Sequence, residues 1–293
     1  MKKYDVVVIG GGHAGCEASS AAARMGCKTV LITMKTDSIG QLSCNPAVGG
    51  IGKSHLAREI DALDGLISVV ADKSALQRRT LNSRKGQAVQ ATRIQTCRDH
   101  YKLNMQKALQ GIKNLDIYQA TISSIISKNN IATGVITEAG DKIFGKSIIL
   151  TVGTFLGGKI HIGLKSFSAG RAGDKPSIEL ESFFKDYSFK IGRLKTGTPP
   201  RIKTASIDFE KLEKQNSDPH MPKLSYLYDH YGVTYNEIKQ VPCHITYTNE
   251  STHDLIRTKK DESPLFNGNI VSKGPRYCPS IEDKVYRFSE KKQ

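Results

Sequence analysis

The sequence predicts an α/β fold, a Rossmann-like domain carrying a β-meander and an inserted α+β region. Three observations predict it. A β-branched run is followed at once by a glycine-rich turn and an alanine-rich stretch. Strand-like runs separated by hairpin residues occupy 117–152. Between 201 and 273 the composition turns more polar, with Pro219, Pro222, Pro242 and several tyrosines.

Tyr4 to Ile9 reads as a strand buried on both faces. Gly10-Gly11-Gly12-His13-Ala14-Gly15 follows, then a helix over Cys16 to Met25 closed by Gly26, then a second strand over Lys28 to Thr33. The turn is a G-x-G-x-x-G at Gly10, Gly12 and Gly15. In such a turn the first glycine allows the tight bend, the second lets backbone approach a diphosphate, and the third lets helix pack on strand. The diphosphate then lies on the positive end of the helix dipole. A strand before and a helix after make the motif specific. The second strand ends at Thr33-Met34 rather than at the Asp or Glu that usually holds the ribose hydroxyls. A hydroxyl or backbone group has to serve there, which weakens NAD at this turn and leaves FAD open.

A second glycine-rich stretch, Ser43 to Lys53, holds Cys44 beside Asn45-Pro46 and three glycines at 49, 50 and 52. It lacks the frame of a phosphate loop, and its glycines are expected to bring backbone close to a flat ligand. Cys44 in such a loop reads either as a reactive thiol or as an inert one. Leu56, Ile60 and Leu63 recur at helical spacing up to Gly65, with Lys53, His55 and Arg58 between them for solvent or phosphate. Strands are expected at Ile117–Ile126, Ile131–Thr137 and Lys142–Thr151, separated by hairpin residues. That meander, with the apolar strand ending Thr151-Val152-Gly153-Thr154, is the usual companion of a two-dinucleotide flavoprotein core. The expected division is a FAD-binding domain over 1–200 and an inserted NAD or substrate region over 201–293. Near the end, Cys278 stands among Arg276, Tyr277, Pro279 and Lys284, a setting that lowers a thiol pKa.

The chain has 293 residues, with 43 Lys+Arg against 28 Asp+Glu, a formal +15. Such an excess is either a solvated basic surface or the footprint of a polyanion partner. No apolar run approaches the ~20 residues of a membrane helix. Six scattered cysteines without a C-x-x-C pair or a secretory segment read as reduced and cytoplasmic. The ligand spacings of structural zinc are absent.

Six motifs carry a resemblance: Gly10–Gly15, Ser43–Lys53, Glu59–Leu63, Thr151–Leu156, Gly192–Arg201 and Gly274–Lys284. Together they resemble the flavoprotein subunit that installs the 5-carboxymethylaminomethyl group of tRNA uridine, the glucose-inhibited division protein A family, over essentially the whole chain. The resemblance implies FAD at Gly10, Gly11, Gly12, His13, Ala14 and Gly15, with contacts near Ile122 and Ser177. It implies NADH along Gly274, Pro275, Arg276, Tyr277, Cys278, Pro279, Ser280, Ile281, Glu282, Asp283, Lys284, Val285, Tyr286, Arg287 and Phe288. It also implies methylenetetrahydrofolate as one-carbon donor, glycine or ammonium as amine, a partner GTPase, a homodimer and the wobble uridine of tRNA as substrate. Cys44 and Cys278 match the family's two cysteines. Family members are longer, so the chain is expected to be an N-terminal portion.

The chemistry asks for such parts. Uracil C5 is a poor nucleophile, and a thiolate adding at C6 makes it reactive; a wobble base must also leave its stack. Arg78, Arg79, Arg84, Lys85 and Arg93 are candidate contacts to the anticodon backbone. Two other readings stay open: the folate- and FAD-dependent tRNA uracil methyltransferase, which shares the flavin motif, and an inactive module that still binds nucleotide or tRNA.

Overall fold

The computed structural model describes residues 2–171, 173–227, 238–271 and 278–293. Strand β1 (Lys2–Ile9), helix α1 (His13–Arg24) and strand β2 (Thr29–Thr33) form the crossover the sequence predicts. β1 and β2 pair in parallel, with Val6 beside Thr29 and Ile9 beside Ile32. The helix begins three residues earlier than its alanine-rich stretch because Gly12 is its N-cap.

The chain continues through β3 (Ala47–Gly49), α2 (Ser54–Ala62), α3 (Leu66–Lys73), β4 (Ala75–Leu81), β5 (Ala91–Thr96) and α4 (Arg98–Gln110). It returns through β6 (Leu115–Gln119), β7 (Ile122–Lys128), β8 (Ile131–Thr137) and β9 (Lys142–Leu150). The main sheet has the order β6-β2-β1-β9-β8-β7. β6, β2, β1 and β9 run parallel, and β8 and β7 continue from β9 as the antiparallel meander. Strict side-chain alternation sends neighbouring residues to opposite faces. Val8 and Leu31 join Cys16, Tyr101 and Met105 under the helices. Val7 and Ile32 join Ile122, Val135, Ile143 and Leu180 on the other face. The stretch 117–126, expected as one strand, is two. Ala120 donates to Thr33 at the end of β2, and Thr121 then accepts from Glu138 of the meander. After the break at Ala120–Thr121 the chain passes from β6, at one edge of the sheet, to β7, at the other.

A second sheet has the order β3-β5-β4. Beyond β9 come β10 (Lys159–Ile162), β11 (Lys165–Ser168), α5 (Ile178–Asp186), β12 (Glu213–Gln215), β13 (Cys243–Ile245), α6 (Glu250–Thr258) and α7 (Ile281–Arg287). Residues 215–226 pack back on the second sheet. Gln215 O accepts from the Gln77 side chain, Asp218 N donates to Arg78 O, and Leu224 is fully buried in the core beneath β1. Two buried carboxylates hold this segment. Asp72 accepts from Leu224 N and Ser225 N while pairing with Arg78 at 2.5 Å. Asp61 accepts from Ser225 Oγ at 2.6 Å and Tyr226 N at 2.7 Å.

That clamp inverts α2. The periodicity of Leu56, Ile60 and Leu63 is helical as expected, but the buried face is Ser54, Ala57 and Asp61. Leu56 and Leu63 are 59% and 79% exposed. Arg58 turns inward instead, donating to Thr92 Oγ1 and Lys223 O and lying over the Tyr226 ring. Among the described residues no helix is long and apolar enough to cross a membrane.

Candidate functional site

The turn from β1 into α1 is built by backbone contact. Gly10 has φ +109, and a Cβ there would lie 2.6 Å from Thr151 O. A Cβ on Gly15 would lie 1.8 Å from Gly10 O, so the helix reaches the strand only because that atom is missing. Thr151, just past β9, fixes the bend from the other side: its hydroxyl donates toward Ile9 O at 2.8 Å and Gly10 O at 3.0 Å. A Cβ on Gly12, by contrast, would meet nothing within 4 Å. The space above the second glycine is open, no side chain caps α1, and its first turn holds no acid. The leading amides of a helix have no intrahelical acceptor. A diphosphate fits this cradle.

His13 and Ala14 follow at the helix start. Ala14 is exposed. The His13 ring tilts against Tyr101 at 5.5 Å, and its Nε2 and the Tyr101 hydroxyl are both buried without a hydrogen-bond partner among the described residues. Burial pushes the His13 pKa down, so the imidazole is neutral at pH 7. The amides, rather than His13, answer an anion here.

Ile122 and Ser177 come together, lining a cavity of about 220 Å³ with Glu138, Lys175, Pro176, Ile178 and Glu179. Ser177 reaches this place through the turn after β9: its N–H donates to Phe155 O, and its carbonyl accepts from Gly157.

Cys44 is exposed on the loop before β3. Three anchors hold that loop. Arg98, first residue of α4, donates to Leu42 O and Cys44 O. Gln95 donates to Asn45 Oδ1, and Thr96 donates to Pro46 O from both its amide and its hydroxyl. Of the glycines after Cys44, Gly49 (φ +85) serves the chain itself, since a Cβ there would lie 2.3 Å from Thr92 O of β5, whereas a Cβ on Gly52 would meet nothing within 4 Å.

Cys278 lies on another loop, its thiol 3.8 Å from Gly197 O, with Ser280 packed against Gly197. This joins the 192–201 and 274–284 motifs. Gly274, Pro275, Arg276 and Tyr277 lie outside the described residues. After Pro279, Ser280 caps α7 by accepting from Asp283 N, and Arg287 donates back to Asp283. Val285 is buried, Ile281 and Lys284 lie on the same helix, and Phe288 ends it half-exposed. Tyr286 sits edge-on to Phe266 with Lys260 above both rings, and Glu282 lines the adjacent cavity of about 280 Å³.

A family model described as "Glucose inhibited division protein A" matches residues 5–293. The chain belongs to this family. GidA of Aquifex aeolicus, solved in two crystal forms, is 44% and 43% identical to it, with TM-scores of 0.91 and 0.89. Both matches cover 100% of this chain and 49% and 47% of the Aquifex chain, so this chain spans about half the length of those relatives. Membership agrees with the α/β fold and with all six motifs, which fall within the matched residues.

Of the basic residues read from the sequence, Arg78 is 2% exposed and bound to Asp72, so no RNA phosphate can reach it. Arg79 pairs with Asp218 at 2.8 Å. Arg84 and Lys85 are exposed. Sequence reasoning placed Thr151 in a motif without giving it a role, and it missed Arg98. Thr151 carried a readable signal, since it closes the strand adjoining the glycine turn. Arg98, a lone arginine opening a helix, carried none.

Proposed function

We propose that this chain forms the FAD-binding part of a flavin-dependent enzyme that modifies the wobble uridine of tRNA at C5. The observation that carries the reading is the β1–α1 turn, where Gly15 seats the helix on Gly10 while the side above Gly12 stays open. Membership of the family supports the same reading. FAD, when bound, would accept hydride from NADH and in that reduced form carry the one-carbon unit of methylenetetrahydrofolate at the methylene level. The residues around it bind and orient. The amides at His13 and Ala14 hold the diphosphate, Thr151 keeps the turn in shape, and Ile122 and Ser177 flank the adenosine end. Residues 274–288 receive NADH. A partner GTPase and a second copy of the chain complete the assembly, and glycine or ammonium provides the amine.

Cys44 or Cys278 is the nucleophile of this reading. Its thiolate forms a bond to uracil C6, the electron pair moves to C5, and C5 attacks the one-carbon unit. Loss of the C5 proton expels the nitrogen that carried the one-carbon unit, the amine adds to the methylene left on C5 and gives up a proton, and expulsion of the thiolate restores the ring. Arg98 holds the Cys44 loop by two carbonyls, and Gly197 backs Cys278. Arg84 and Lys85 are the exposed cations that suit the anticodon backbone.

The test has two arms. The purified protein reconstituted with FAD should be yellow and bleach anaerobically on adding NADH. With the GTPase supplied, Cys44→Ala and Cys278→Ala should each be assayed for modified uridine. Full activity of both variants would remove the nucleophile assignment.

A further inference from the structure

The end of β2 is where an acid normally receives the two ribose hydroxyls of a dinucleotide. Here the strand ends at Thr33, which is 7% exposed. Its hydroxyl is turned toward the glycine turn, since a Cβ on Gly11 would lie 2.9 Å from Thr33 Oγ1. A carboxylate nevertheless arrives from a distant part of the chain. Asp174 pairs with Lys35, two residues past β2, at 2.7 Å through Oδ1. Arg171 holds the other oxygen, Oδ2, at 2.7 Å, and a Gly170–Asp174 backbone hydrogen bond closes the loop. The same loop runs on to Ser177 and its cavity with Ile122. The hydrogen bond from Lys35 keeps the Asp174 carboxyl below its ordinary range. Each of its oxygens spends one lone pair on a cation and keeps another to accept a hydroxyl.

We propose that Asp174 supplies the ribose-binding carboxylate that β2 lacks, accepting the 2′- and 3′-hydroxyls of the adenosine half of the dinucleotide held at Gly10–Gly15. The assignment rests on the nucleotide reading of that turn. It makes Lys35 and Arg171 positioning residues that aim an acid over a gap of 139 residues.

The test is a binding comparison on the full chain with two probes, ADP and 2′,3′-dideoxy-ADP, measured by calorimetry. Hydrogen bonds to a charged acceptor give the wild-type protein about a tenfold preference for ADP. Asp174→Asn and Asp174→Ala should bring the two probes within about twofold of each other while leaving dideoxy binding nearly unchanged. Lys35→Met removes one of the two cations that aim the acceptor and should reduce the preference without abolishing it. If Asp174 only pins the loop, both variants weaken both probes equally and the preference survives, which overturns the proposal. A wild-type protein without a preference overturns it too. Failure of the wild-type protein to bind either probe or FAD would instead sink the nucleotide reading of the turn.

Discussion

The molecule contains two glycine-rich strand-to-helix turns, each with a cysteine near it, and they differ in what the glycines approach and in how the cysteine is held. At Gly10–Gly15 the glycines bring a helix onto a buried parallel strand and leave one side open above Gly12. The nearby Cys16 is fully buried, its thiol turned to Gly11 O and pushed up to about 12 by burial. At Gly49–Gly52 the positive φ angles of +85, +99 and +71 serve the bend, the close approach at Gly49 is to the protein's own β5, and the open side lies above Gly52. There the cysteine, Cys44, is exposed on a loop held by Arg98. The cores beneath differ as well. The first turn stands on an apolar sheet, while the second adjoins the carboxylates Asp61 and Asp72 that hold 222–226 by hydrogen bonds. A run of glycines therefore reports a backbone demand, and only the space beside it reports a ligand.

The sharpest way to break the contrast between the cores is Asp72→Ala. It removes the carboxylate that pairs with the buried Arg78 guanidinium and should cost about 3–5 kcal/mol in urea unfolding. A loss under about 1 kcal/mol would mean that the polar clamp is incidental. Gly49→Ala comes next. A Cβ at positive φ against Thr92 O should cost about 1–3 kcal/mol, yet FAD affinity per folded molecule should hold, because the close approach at Gly49 is to β5.

The thiols sharpen the same contrast. In native protein, iodoacetamide followed by peptide mass spectrometry should label Cys44 first and leave Cys16 untouched until urea unfolds the chain. Equal labelling would show that the first turn opens.

The smallest effect is a pH dependence at α1. Burial raises the Glu17 pKa above its ordinary 4.5, although Leu66 N and Ile67 N donate to the carboxylate. A carboxyl that holds its proton more tightly when folded is a stabilising feature at low pH. That contribution shrinks as pH rises from 4.5 through the raised folded value. Stability measured against Glu17→Gln should therefore drift downward across this window. A rise would mean that the two amides outweigh burial.

What the sequence made legible follows from range. The Gly10–Gly15 turn was readable because its demands lie within one crossover. The helical spacing of Leu56, Ile60 and Leu63 was readable too, but not its outward facing, because the partners that pull Asp61 and Arg58 inward sit at 223–226. Cys44 could be singled out by its setting, whereas the Arg98 clamp on its loop came from a separate helix. The stretch 117–126 looks continuous in β-propensity, and only the demands of two different neighbours split it at Ala120–Thr121. Ile122 and Ser177, 55 residues apart, share a cavity that no local pattern announces.

The central claim is that the open side of the first turn holds a flavin dinucleotide. Titrating FAD into the full chain while following flavin fluorescence, alongside Gly15→Ala, tests it most directly. Saturable quenching in the wild-type protein, with weaker affinity in a folded Gly15→Ala because its Cβ meets Gly10 O, is the predicted result. Folded wild-type protein that leaves the fluorescence unchanged, or a folded variant that binds as well as the wild type, would contradict the account.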